Sequence, residues 1–204
     1  MRTTRLEAFS DAVLAIIITI MVLELRVPEG HDLQSLLHTT GHGLITYLLS
    51  FVYLGIYWNN HHHMFQLVSR VSGGVLWANL TLLFFLSLLP FTTAWMDESR
   101  LAHAPLFLYG LNLLLAAAAY FVLQTVVIRQ EGPASPLRRA VGRDLKGKLS
   151  PVGYLAGMLG TTVFDPEGRV GAWFALGCYA AVAVLWVVPD RRIEGAIREQ
   201  GLPD

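Results

Sequence analysis

Arg5-Leu-Glu-Ala-Phe9-Ser10-Asp11-Ala-Val-Leu-Ala-Ile16-Ile-Ile-Thr19-Ile20-Met-Val-Leu23 is the stretch whose reading decides the fold. It places Arg5, Glu7 and Asp11 directly before a charge-free apolar run of membrane-crossing character. Charged groups at the mouth of a membrane helix are costly and are retained where they serve a function. The first helix is therefore more than an anchor. At 100° per residue, and with Ile16 set to zero, Ala12, Thr19, Ile20 and Leu23 all lie within about 60° of it, on one stripe. Asp11 lies about 140° away, with Glu7 one turn before it. The charged face and the Ile-Thr-Ile-Leu face are separate.

The rest of the chain agrees with a membrane setting. Hydrophobic residues make up 54% of the 204 residues and charged residues 15%, against about 25% charged in an average soluble domain. The net charge is zero, so bulk charge gives no reason to expect a nucleic-acid partner. The single cysteine, Cys178, excludes a disulfide framework within one chain and a thiolate metal cluster. A cleaved signal peptide fits poorly, because Glu7 and Asp11 interrupt the N-terminal pattern and no small-residue cleavage site follows Leu25.

The composition predicts an all-α polytopic membrane protein. Six crossing helices are expected near 6–25, 41–60, 71–96, 104–128, 149–164 and 170–188, with a basic linker at 129–148 and a single domain over 1–204. With six spans, both termini share one side. That side collects Arg2, Arg5, Arg70, the linker's basic residues and Arg191, Arg192 and Arg198, leaving Arg26, Arg100 and Arg169 opposite. Basic residues stay on the cytoplasmic side, so both termini are expected inside. The opposite segments are rich in acids, and Glu24 is the candidate for a cation-gathering outer mouth, with Glu29 beyond it.

Arg5 and Asp11 are six residues apart and cannot pair along one helix, where three or four is required. The second helix ends on their side with Trp58, Asn59, Asn60, His61, His62 and His63. A buried polar network joining the two ends is expected. It is stable only if every member is hydrogen-bonded.

The run from Arg5 to Asp11 matches the Arg-x-x-x-Phe-Ser-Asp signature and resembles the endosomal and lysosomal potassium channel family, in particular its bacterial members with one six-helix repeat. Tyr57-Trp58-Asn59-Asn60-His61-His62 and Asn79-Leu-Thr-Leu-Leu-Phe-Phe-Leu-Ser87-Leu-Leu-Pro90-Phe91-Thr92 are similar to that family's second and third helices. The resemblance implies a potassium-permeable homotetramer in the cell membrane of a prokaryote, with the first helix of each subunit lining a central pore. It implies a hydrophobic constriction at Ile16, with Ile20 and Leu23 beyond it, and a polar ring at Thr19 that contributes to cation preference. It also implies a structural signature network of Arg5, Phe9, Ser10, Asp11, Trp58, Asn59 and His62. No cofactor and no bound metal is expected.

Other readings were weighed against this one. Pro151-Val-Gly-Tyr154 lacks the Thr, the second Gly and the preceding pore helix of a carbonyl filter. Adjacent histidines 61–63 point about 100° apart and cannot chelate one ion from one helix. His31, His38 and His42 are expected at the surface. A hydrolase would need Ser10 and a histidine of the triplet as nucleophile and base, but no glycine-flanked turn accompanies Ser10. A small secondary transporter is the alternative function. It would need a polar midplane site, for which only Thr19, Asn79, Asn112 and Gln124 are available.

Overall fold

The computed structural model describes residues 3–68, 70–133, 135–142, 144–163 and 169–187. Among them lie eight helices: α1 (Thr3–Leu23), α2 (Leu33–Gln66), α3 (Gly73–Ser87), α4 (Leu89–Glu98), α5 (His103–Glu131), α6 (Pro136–Val141), α7 (Leu145–Val163) and α8 (Arg169–Val187). Arg2, Arg143 and the tail with Arg191, Arg192 and Arg198 lie outside the described residues.

The architecture is all-α, but the expected six crossing helices are corrected. Four helices among the described residues are long and apolar enough to cross a membrane: Thr3–Leu23, the α3–α4 rod Gly73–Glu98, His103–Glu131 and Arg169–Val187. The two predicted segments at 41–60 and 149–164 belong to α2 and α7, which fall short on composition. α2 is 34 residues long, about 51 Å at 1.5 Å per residue. It carries Gln34, His38 and His42 towards one end and Asn59 to His63 towards the other. α7 begins with Lys146 and Lys148 and is diluted by Gly147, Gly153, Gly157 and Gly160. The topology drawn from six spans falls with that number.

The segment expected as one helix over 71–96 is also divided. Leu88 is a one-residue turn, its N–H reaching back three residues to Phe85 O. Pro90 is the cause: it has no N–H to give, and its ring clashes with the carbonyl four residues earlier. Just past the break, Thr92 donates its backbone N–H to Leu88 O and its hydroxyl to Leu88 O and Leu89 O, fastening the first turn of α4. The linker is not wholly irregular either, since Ser135 caps the short α6 through a bond from Arg138 N. Asp32 caps α2 by accepting from Ser35 N at 2.7 Å, and the bonds from Ser35 hold its carboxyl below the usual carboxylate range.

Tyrosines and glycines hold α5, α7 and α8 together. Tyr179 is fully buried and donates to Leu106 O, while its own carbonyl accepts from Tyr53 at 2.6 Å. A Cβ on Gly157 would lie 2.4 Å from the Tyr179 ring, and one on Gly160 would lie 2.3 Å from Phe174. The glycines are thus the sockets into which α8 fits, the role small residues play where membrane helices approach closely. Replacing Gly157 by Ala is expected to destabilise the fold by about 1–3 kcal/mol through overpacking. Replacing Gly177 by Ala, where a Cβ meets nothing within 4 Å, is expected to leave stability unchanged or raised, because Ala is the better helix former. Thermal melting of both variants in detergent checks the contrast.

Candidate functional site

α1 divides into two faces. Leu6, Ser10, Leu14, Ile17 and Met21 are buried against the protomer. This is the i, i+4, i+7 spacing of one helical stripe. The opposite face is open. Ile16 is 57% exposed, Ile20 42% and Leu23 81%, and Thr19 is exposed beside them. The Thr19 hydroxyl donates to Ile16 O at 2.9 Å, one turn back on its own helix. Its proton is committed, so the oxygen turns its lone pairs outward. Glu24 is exposed in the turn that follows α1.

At its N-terminal end α1 is tied to its neighbours by polar groups. Asn79 of α3 donates its amide to Ser10 Oγ at 3.0 Å, and Ser10 donates to Leu6 O at 2.9 Å. His61 of α2 lies 2.9 Å from Asn79 Oδ1 through Nε2. Because Asn79 Oδ1 can only accept, His61 Nε2 carries the proton. The result is a directed chain, His61 to Asn79 to Ser10 to Leu6 carbonyl, with all three side chains buried. Bonds in such a chain polarise one another and rigidify the site. The Phe65 ring packs on the His61 ring at 4.6 Å.

A second set of contacts lies nearer the surface. Trp58 Nε1 donates to Asp11 Oδ1 at 3.1 Å. The His62 ring stacks on Trp58, its Nδ1 stands 3.9 Å from Glu7 Oε1, and Gln66 Nε2 is 3.0 Å from His62 Nε2. With the Gln66 amide donating, Nε2 accepts and Nδ1–H faces Glu7.

Of the residues expected in one network, the structure brings Asp11 to Trp58 and stacks Trp58 on His62, and it places Ser10 in the separate buried chain. Arg5 and Phe9 are exposed, and among the described residues Arg5 makes no ion pair. Helical geometry explains this, because Arg5 and Phe9 project within about 20° of Ile16 rather than towards Ser10. Asn59 is half-buried and makes no side-chain hydrogen bond among the described residues. His61, one of the residues expected at that end of the second helix, joins the buried chain; Asn79, Glu7 and Gln66 are additions to the expected network. For Asn79 a signal did exist, as an amide in an otherwise charge-free span must find a partner.

Neither discounted chemistry gains from this geometry. The Ser10 hydroxyl donates to a carbonyl instead of a base. His61 and His62 engage different partners on different elements, and no group of three or more His, Cys, Asp or Glu capable of holding a metal is found among the described residues.

Residues 5–90 match the family model described as endosomal/lysosomal potassium channel TMEM175, a range that spans α1 to the start of α4 and so both sets of polar contacts. A potassium channel of Chryseobacterium sp. (strain P1-3) is 49% identical over 195 residues, covering 96% of this chain and 97% of the relative. The endosomal/lysosomal proton channel TMEM175 of Bos taurus is 28% identical over 156 residues, 69% of this chain and 33% of that protein. The crystal structure of a lysosomal potassium-selective channel TMEM175 homologue from Chamaesiphon minutus superposes with a TM-score of 0.74 at 26% identity, over 92% of this chain and 97% of that one. The buried Ser10–Asn79–His61 chain thus lies within a region shared with these proteins, and the chain belongs to the TMEM175 family of membrane ion channels.

Proposed function

We propose that the chain is one subunit of a potassium-permeable cation channel, in which four copies of α1 converge with Ile16, Ile20 and Leu23 facing a common axis. The single observation that carries this reading is the open stripe of α1. A helix that buries one face against its own protomer and leaves Ile16 and Leu23 more than half exposed has an apolar surface awaiting cover. Like copies around an axis supply that cover and enclose a path, the arrangement suited to a family of channels rather than enzymes.

In that assembly the Ile16 ring is a hydrophobic neck. When narrow it dewets and a hydrated cation cannot pass; a small widening wets it. Thr19 presents four oxygen acceptors just beyond, and Glu24 draws cations to the adjoining mouth. The chain resides in the cell membrane of a prokaryote. Whatever the number of spans, Trp58 meets Asp11 and Gln130 meets Arg70 at one end of the bundle, and this end, with Arg5, Arg129 and the described residues of the basic linker, faces the cytoplasm. Asp11, held by Trp58, fixes the angle at which α1 enters.

Recordings from planar bilayers holding the purified chain test the proposal. Ohmic single-channel steps in potassium chloride are expected; flux that saturates and requires a counter-ion would restore the transporter. Thr19→Val, which keeps the shape and removes the acceptor, is expected to shift the reversal potential between potassium and sodium. An unchanged reversal potential removes Thr19 from cation preference.

A further inference from the structure

On the side of the protomer away from α1, a cavity of about 150 Å³ opens between α2, α5, α7 and α8. That volume is close to the size that admits a benzene ring. Its walls are aromatic, with Tyr53, Tyr57, Tyr120, Tyr154 and Trp186. Asp144, just before α7, is the one charged side chain among the described lining residues. Most polar groups on the wall are already engaged. Asn60 donates to Ile56 O, and Ser150 donates to Lys146 O while accepting from Trp186 Nε1 at 2.7 Å.

Three groups retain capacity, and one of them, the Tyr57 hydroxyl, makes no hydrogen bond among the described residues and can donate or accept. Gln124 lines the cavity, is only 8% exposed, and makes no hydrogen bond among the described residues. Its amide opens onto the cavity, where its partners are water or a ligand. Asp144 accepts from Gly147 N through Oδ1 at 3.0 Å, which leaves further acceptor positions on its carboxylate. The aromatic wall already attracts a cation, since Lys146 Nζ stands 5.9 Å from the centre of the Trp186 ring.

We propose that this cavity is a binding site for a small organic ammonium with an aromatic or aliphatic body. The ammonium has donors only, which suits the Asp144 carboxylate and the Gln124 carbonyl, and ring faces attract it through their quadrupoles. A carboxylate ligand would meet Asp144 as a like charge. A neutral hydrocarbon would leave Gln124 unpartnered and bury Asp144 without compensation. The site shares no residue with the open stripe of α1, so its occupancy is measurable apart from ion passage.

Titration calorimetry of the purified full chain in detergent tests this, with benzylamine as probe and benzyl alcohol and benzoate as its neutral and anionic counterparts. One benzylamine per chain is expected to bind, with both counterparts weaker by about tenfold or more, as for loss of a charge-assisted bond. Asp144→Asn preserves the cap on α7, because Asn and Asp serve equally there. It is expected to keep the melting temperature and lose about tenfold in benzylamine affinity. Gln124→Leu is expected to fold and to bind benzylamine more weakly. The proposal is overturned if benzylamine does not bind, if benzyl alcohol binds as well, or if folded Asp144→Asn retains full affinity.

Discussion

Substituting Ile16 by Asn raises the potassium conductance of the reconstituted channel by at least about tenfold, since each ~1.4 kcal/mol removed from a passage barrier is a decade in rate. In the proposed tetramer, four amides in place of four sec-butyl groups give water donors and acceptors at the ring assigned to Ile16 and remove the dewetting penalty. The side chain is more than half exposed in the protomer, so the exchange costs little internal packing and the protein is expected to fold. Single-channel recording against the parent chain decides the matter. Unchanged conductance with intact folding would mean that the constriction lies elsewhere, and Leu14→Asn, on the buried face, is the control that should fail to fold.

The second large effect is on stability. Asn79→Leu removes both bonds that the amide makes, leaving the buried His61 proton without an acceptor and Ser10 Oγ, which keeps its bond to Leu6 O, without its donor. The stranded His61 proton costs about 1–3 kcal/mol and the lost bond at Ser10 about 1 kcal/mol, so the single substitution costs about 2–4 kcal/mol in all. Replacing the whole set, as Ser10→Ala, Asn79→Leu and His61→Phe together, recovers much of that loss, because matched apolar groups need no partners. Melting temperature in detergent is the readout. If the triple variant is no better than Asn79→Leu, the chain is not the source of the loss.

How much of this was legible follows from which interactions are local. The two faces of α1 are a matter of angle along one helix, and the stripe of Ile16, Thr19, Ile20 and Leu23 read from the sequence is the open face in the structure. The number of crossing helices was not legible in the same way. The apolar stretch inside α2 looks like a span on its own, yet the helix continues in both directions into histidines and amides. The break at Leu88 is written in Pro90, but the charge-free run on either side is as apolar as an unbroken span, so hydropathy alone does not mark it. Pairings across helices were the least accessible. Nothing along the chain says that His61 meets Asn79 18 residues on, or that Ser10 shares that amide instead of meeting Arg5. Those depend on how three rods are rotated against one another.

The distribution of polar ties along α1 has a mechanical corollary. Ser10 and Asp11 fasten it at one end, whereas from Val13 to Leu23 no side chain among the described residues bonds to another helix. Between that point and Arg26, whose carbonyl accepts from Thr40 and whose guanidinium pairs with Glu98, the rod packs on Leu14, Ile17 and Met21 with Val13 and Ile18 partly buried beside them. It is a span held at both ends and greased between them. By helical rise, Ile16 lies about 9 Å from the Ser10 tie, towards the middle of that span. Sideways bowing is therefore largest near Ile16 and smallest at the two ties.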